Sequence, residues 1–389
     1  MRIRPPKRRN DGGAGGFDVP TKVIAGLPRP RYHASMTRRI HPIVVASGLL
    51  VATAPLGAQP STPAVQYPNL RIGGFSDFDF QATNESTDGA TSGFHEGQFV
   101  LHLTSALAPR FSFFGEVSIN ARAREFTTEI ERTILKFQAN DMLGMSFGRY
   151  HTPINWWNIA FHHGQWLQTT INRPQMTRFG GDFIPVHFVG AVANGTLPAP
   201  RVDLDYEAGV GNGRSAPVSR AGDAGDTNNH RAWFGTLAAR PDLLYRLEVG
   251  VAYYDDLVGT ATDGEFDEQI VSAHAVWTRE TPELIGEVAF SRHEGRSVAS
   301  TYDNWAYYVQ AAYRLPWWGD DVKPYARFEQ LDIDDGDPVF AGGSQDLREY
   351  TAGLRWDCSD FVALKGEYRR QDYEAVDIDA LLVQISFAF

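Results

Sequence analysis

From Asn69 to Phe389 the sequence keeps a two-residue rhythm, and few folds accept that rhythm in segments this long. In the final segment Leu381, Val383, Ile385, Phe387 and Phe389 share one side, with Ala380, Gln384, Ser386 and Ala388 on the other. Residues 362–369 set Val362, Leu364, Gly366 and Tyr368 against Lys365, Glu367 and Arg369. The same pattern runs through 111–120, 202–208 and 245–253. A period of two is the mark of a β-strand with two unlike faces. Soluble antiparallel sandwiches alternate too. Their strands average about 5–6 residues, however, whereas these segments run 9 to 14, the length that crosses a bilayer with tilt.

Sixteen such segments can be marked, near 69–82, 93–106, 109–122, 127–139, 142–150, 186–196, 201–212, 231–240, 243–254, 266–278, 282–294, 302–315, 321–333, 348–357, 360–370 and 378–389. Their connections alternate between short and long, the longest being the 35 residues from His151 to Pro185. Short periplasmic turns, longer outer loops and an even count are the rule for bacterial outer-membrane barrels. Aromatic residues make up 12% of the chain, and Trp156, Trp277, Trp305, Trp317, Trp318 and Trp356 fall near segment ends, as interface girdles require. The expected fold is therefore all-β: one transmembrane antiparallel barrel of about sixteen strands over residues 69–389. Charged residues reach 21%, which a barrel tolerates because only its lipid face must be apolar.

The first 68 residues read differently. Met36-Thr37-Arg38-Arg39 followed by the apolar run 42–58 has the form of a secretory signal peptide over 36–58, with cleavage near Ala58. Residues 1–35 read as a non-native or disordered extension, and 59–68 as a periplasmic lead-in. The leader holds 10 of the 36 basic and 2 of the 47 acidic residues, leaving 26 basic against 45 acidic groups, a formal charge of −19. That balance argues against nucleic acid as a partner and for a mild preference for cations. A single cysteine, Cys358, excludes an intrachain disulfide.

Several stretches carry a family resemblance. Phe147-Gly-Arg-Tyr-His-Thr-Pro-Ile-Asn155, Tyr206-Glu-Ala-Gly-Val-Gly-Asn-Gly-Arg214, Lys323-Pro-Tyr-Ala-Arg-Phe-Glu329 and Ala352-Gly-Leu-Arg-Trp-Asp357 resemble the phosphate-selective porin O/P-like group of Gram-negative bacteria. The terminal Phe389 looks like the signal read by the outer-membrane assembly machinery. The resemblance implies a sixteen-stranded outer-membrane barrel, often a homotrimer, with its third outer loop folded into the lumen. It also implies a lysine cluster on that loop in phosphate-specific members; residues 151–185 contain no lysine, only Arg173 and Arg178.

Alternation assigns the charged residues between the lipid-facing ones to the interior. The expected pore-lining set is Arg71, Asp77, Asp79, Glu116, Arg122, Arg132, Lys136, Asp203, Asp205, Glu207, Arg246, Glu248, Lys323, Arg327, Glu329, Arg355, Lys365, Glu367 and Arg369, with His102 and Glu287 also inward. Charges of both signs on so many strands would be costly in a dry core, and sixteen strands leave room for an aqueous channel. The long third loop is expected to enter the lumen and form its constriction through Trp156, Trp157, His162, His163, Trp166, Arg173, Arg178 and Asp182, because its aromatic residues need apolar cover. Three other chemistries are weaker. Gly209-Val-Gly-Asn-Gly213 is followed by no helix that could present a phosphate site. His151, His162, His163 and His187 match no standard metal spacing, so neither metal nor cofactor is expected. No nucleophile–base set can be assembled. The expectation is passive diffusion of small hydrophilic solutes or ions, without catalysis; a closed barrel used for binding or adhesion is the main rival and a barrel enzyme the lesser one.

Overall fold

The computed structural model describes residues 66–389, except 86–90, 123–124, 162, 180–181, 216–217, 219, 227, 261–263, 298 and 341–343. The signal peptide, the extension and His162 lie outside the described residues. Sixteen strands close on themselves: β1 Asn69–Thr83, β2 Gly93–Ala108, β3 Phe111–Ala121, β4 Phe126–Asn140, β5 Leu143–His151, β6 His187–Ala199, β7 Val202–Asn212, β8 Ala232–Pro241, β9 Leu247–Gly259, β10 Glu265–Thr278, β11 Glu283–Gly295, β12 Thr301–Ala312, β13 Val322–Asp332, β14 Leu347–Ser359, β15 Val362–Tyr373 and β16 Asp377–Ala388. Each strand pairs antiparallel with its sequence neighbour, and β1 pairs with β16 from Phe75↔Ala388 to Thr83↔Ala380. Closure leaves no sheet edge, so every strand's backbone polar groups find partners before they meet hydrocarbon. The seam ends at Phe389, whose backbone exchanges two hydrogen bonds with Gly74, at 2.9 and 3.0 Å.

The outer face carries the exposed apolar residues, among them Ile72, Phe147, Val251, Phe290, Val309, Leu381 and Val383. Trp317 and Trp318 stand exposed in the turn between β12 and β13, and Trp356 near the end of β14, as girdle positions should. Trp156 departs from that expectation, because it lies on a short helix inside the barrel.

Strand limits follow the sequence reading to within three residues except at β9. It begins at Leu247 rather than 243, since Asp242 to Arg246 form the turn and Arg246 takes a left-handed φ of 65°. Arg246 is thus a turn residue, and Arg122 lies just beyond β3 in an outer connection.

The interior is more apolar than strict alternation suggests. Phe188, Phe234, Tyr254, Phe266 and Ile270 point inward and form a buried cluster with Ile154, Trp157, Phe183, Ile184 and Phe340 from the outer loops. The glycine-rich run at the end of β7 belongs to this packing. A Cβ on Gly209 would stand 2.4 Å from the Phe234 ring, and one on Gly211 would stand 2.2 Å from the Val189 carbonyl oxygen. The glycines make room for aromatic rings on the inner wall.

Candidate functional site

The connection between β5 and β6 runs inside the barrel. It leaves the wall at His151, forms helix α1 (Trp156–Ala160) and a 3-10 turn (Gln175–Thr177), and rejoins at His187. Most of it is irregular backbone. Such backbone survives at membrane depth only where protein or water satisfies its polar groups. The inner wall supplies this by sign. Acidic residues accept from N–H and hydroxyl donors: Glu287 from the backbone of Trp156 (2.5 Å) and Trp157 (2.9 Å), Glu283 from the Thr169 hydroxyl (2.8 Å), Glu367 from Ile171 N–H (2.9 Å), and Glu329 from Gln175 N–H (2.5 Å). Basic residues donate to carbonyls: Arg327 to Asn172 (2.8 Å), Arg355 to Trp166 and Gln168 (both 2.8 Å), and Lys365 to Gln165 (2.5 Å) and Thr170 (3.0 Å). These seven wall charges, of both signs, are therefore the hydrogen-bonding complement of the loop.

The expected wall residues fall into two groups. Asp77, Glu116, Lys323, Arg327, Glu329, Lys365 and Glu367 are each 3% or less exposed, and Arg132, Arg355 and Arg369 are also buried. They form the wall behind the loop or pair with one another: Glu116 with Arg132 at 2.6 Å and His102 at 2.7 Å, Arg327 with Glu329 at 3.0 Å, and Lys323 with Glu283 at 2.6 Å. Asp79, Lys136, Asp205, Glu207 and Glu248 are part-exposed, while Arg71, Arg122, Asp203 and Arg246 are exposed. In the loop, Trp157, His163, Trp166 and Asp182 are buried, Trp156 and Arg173 half-buried, and Arg178 exposed. Arg173 lies over the Phe179 ring at 3.9 Å.

Several residues that build this interior escape an alternation count. Glu131 should face lipid between Ile130 and Arg132. A β-bulge instead sets Glu116 opposite Arg132 and Val117 opposite Ile130, leaving Glu131 as the extra residue, turned inward and buried. It meets the Ser118 hydroxyl at 2.5 Å, His163 at 3.3 Å and His187 at 2.9 Å. Arg214, on a small ribbon formed by residues 214–215 and 220–221, is 2% exposed and reaches Glu268 at 2.5 Å and the Asp182 carbonyl of the third loop. His293 bridges Glu268 (3.0 Å) and Asp337 (2.6 Å), and Phe340 stacks on Phe183 at 5.5 Å. Arg214 and Val218 from the connection after β7, and Asp337, Val339 and Phe340 from the one after β13, thus also pack into the outer half of the lumen. The only sequence signal for this was unpaired charge or apolar bulk inside polar connections.

Below the loop, toward the short turns, lies a recess of about 370 Å³. Trp156, Phe161, Trp166 and Leu167 from the loop face Arg240, Arg246, Glu248, Glu280, Arg314 and Lys323 across it. Glu280, in the turn after β10, sits 2.9 Å from Lys323 and 3.0 Å from Arg314. Burial disfavours its charge, but the two cations outweigh burial and hold the carboxyl down at about 2.

No protein-family model matches the chain, and no curated protein is significantly similar to it in sequence. Solved structures are similar in shape. The anion-selective porin from Comamonas acidovorans superposes with a TM-score of 0.61 at 12% identity, covering 83% of this chain and 100% of that one. The outer-membrane channel DcaP of Acinetobacter baumannii gives 0.58 at 12% identity, over 83% and 97%. OprB of Pseudomonas putida gives 0.54 at 12% identity, over 83% and 94%. The fold is that of the outer-membrane porins. At these identities the likeness concerns the porin barrel and leaves open what passes through it.

Proposed function

We propose that this chain is a porin that lets small hydrophilic solutes or ions diffuse passively across the outer membrane, with no catalytic step. One observation carries the reading: a closed sixteen-stranded barrel holds a long internal loop by hydrogen bonds from charged residues on at least four wall strands. A wall built this way fixes the loop's position, and with it the width of the passage. Trp156, Trp157, His163, Trp166, Arg173, Arg178 and Asp182 would belong to that constriction. The part-exposed and exposed wall charges, from Asp205 and Glu207 to Arg71 and Asp203, would set the field beside it. Selectivity should lean weakly toward cations, since the chain beyond the leader carries −19 and the third loop has no lysine. Kinship with the phosphate-selective O/P-like group, homotrimer formation, export through the 36–58 signal and recognition of Phe389 by the assembly machinery belong to the same proposal.

The deep burial of the wall charges favours a second reading, a barrel whose passage is normally shut and whose outer loops bind a partner. Planar-bilayer recording separates the two. A porin should show stepwise single-channel conductance, and excising residues 159–178 should raise it at least twofold while the barrel stays heat-modifiable. A folded wild-type barrel that never conducts would favour the closed reading. Native conductance in the folded deletion would place the loop outside the conducting path. Reversal potentials in a salt gradient test the charge bias, and a strong anion preference would refute it.

A further inference from the structure

We infer that the point where the third loop leaves and rejoins the wall is a binding site for one divalent transition-metal ion, with Glu131, His151 and His163 as ligands. One ligand atom from each of these residues lies within 4.8 Å of the others, and all three residues are buried. His187 stands on the second oxygen of the Glu131 carboxylate, 2.9 Å away. The four come from separate anchors: the β4 bulge, the end of β5, the loop beyond α1 and the start of β6.

Coordination chemistry fits this set. Two imidazoles and one carboxylate suit zinc and its neighbours, whereas calcium and magnesium seek oxygen-rich shells. Metal–ligand bonds of about 2.0–2.1 Å in a tetrahedron place neighbouring ligand atoms about 3.3 Å apart. The His163 Nε2 to Glu131 Oε1 distance is already 3.3 Å. His151, whose Nε2 stands 3.4 Å from Glu116, offers a ligand atom within 4.8 Å of the other two and completes a three-ligand set by turning toward them, leaving a fourth position for His187 or water.

The surrounding groups orient the ligands. The Gln98 amide oxygen stands 3.0 Å from His163 Nδ1 and so takes its N–H. In the neutral ring Nε2 then presents its lone pair to the Glu131 carboxylate. Two electron-rich atoms face each other there, and a proton or a metal cation must sit between them. Ser118 fixes the same carboxylate by a 2.5 Å hydrogen bond, the kind of outer-shell support that ligating groups commonly receive. The nearby formal charges balance: Glu116, Glu131 and Asp223 against Arg132, Arg173 and Arg149, which lies 3.7 Å from Glu131 and 2.7 Å from Asp223. Affinity would therefore come from direct metal–ligand bonds, and should follow the transition-metal series more than the ionic strength.

The test is isothermal titration of the folded, detergent-purified full chain with zinc chloride, and separately with calcium chloride. One zinc per chain and no calcium binding are expected. His163→Gln and Glu131→Gln should each weaken zinc binding at least tenfold, while His163→Cys, which keeps a ligand, should retain it. His163 lies in the loop rather than in a strand, so the barrel should tolerate its replacement, with heat-modifiability as the check. Should the variants fail to fold, cobalt substitution of the wild type reports the site directly through tetrahedral visible bands. Absence of stoichiometric zinc binding, undiminished binding by folded His163→Gln, or an octahedral cobalt spectrum would overturn the assignment.

Discussion

Glu287 should decide whether α1 stays against the wall, and its replacement by alanine is the most direct perturbation of the loop. Its carboxylate accepts the backbone N–H groups of Trp156 and Trp157, at 2.5 and 2.9 Å, and the Tyr308 hydroxyl. The first N–H groups of a helix have no partner within it, and no side chain within α1 caps them. Hydrogen bonds to a charged acceptor contribute about 1.5–3 kcal/mol each, so losing the two backbone bonds withdraws about 3–6 kcal/mol from the docked state. Water reaching the freed donors from the recess beside Trp156 returns part of this, leaving about 3 kcal/mol, or about a hundredfold in the local opening equilibrium. Peptide-resolved hydrogen exchange on the folded barrel reads that ratio. In Glu287→Ala the segment 156–160 should exchange about a hundredfold faster, with the strand amides of β11 and β12 unchanged. Tyr308→Phe removes only the hydroxyl bond and should shift exchange by tenfold or less. If Glu287→Ala left 156–160 as protected as in the wild type, the wall charges would not be what holds the loop.

Two further outcomes follow from the seam and from the periplasmic turns. Deleting Phe389 removes both backbone hydrogen bonds to Gly74 and the ring contacts to Phe99 (5.6 Å) and Phe387 (6.4 Å); the fraction of heat-modifiable barrel on semi-native gels should fall, and an unchanged fraction would count against a closing role. Glu280→Ala should destabilise the fold at neutral pH and progressively less in acid. A carboxyl held down at about 2 stabilises the folded state fully above its unfolded value of about 4.3, and that contribution fades as pH falls toward 2. Urea unfolding followed by tryptophan fluorescence at several pH values checks this, and a pH-independent difference between variant and wild type would refute it.

The barrel was readable because hydrocarbon enforces alternation on every strand, so strand number and approximate limits stood in the pattern. The inner face was only partly readable. Alternation turned Glu287, Arg327, Glu329, Lys365 and Glu367 inward, where they meet the third loop, but not Glu131, because one bulge reverses the parity of what precedes it. Nor did it separate a charge facing water from one facing a loop, since both are polar residues between apolar ones. Phe234 illustrates the converse: an apolar residue on the inner face looks like lipid-facing sequence until the loop that covers it is in view. The wall residues that hold α1 and the stretch from Trp166 to Gln175 lie more than a hundred residues away, as Glu367 does from Ile171, and no local pattern encodes such pairs.

The pairing of β1 with β16 also sets an order in time. Phe75 meets Ala388 across 313 residues, so the cylinder cannot be completed until its last strand has been synthesised and delivered. Contacts between such distant positions form slowly, and until they form β1 presents an unpaired apolar edge of the kind that aggregates. The 16-residue β2 gives that first strand an early partner on one side only. The other side waits for the end of the chain, so β1 keeps one open edge for as long as delivery of the remaining strands takes, and whatever shields that edge in the interval would protect the whole barrel from aggregation.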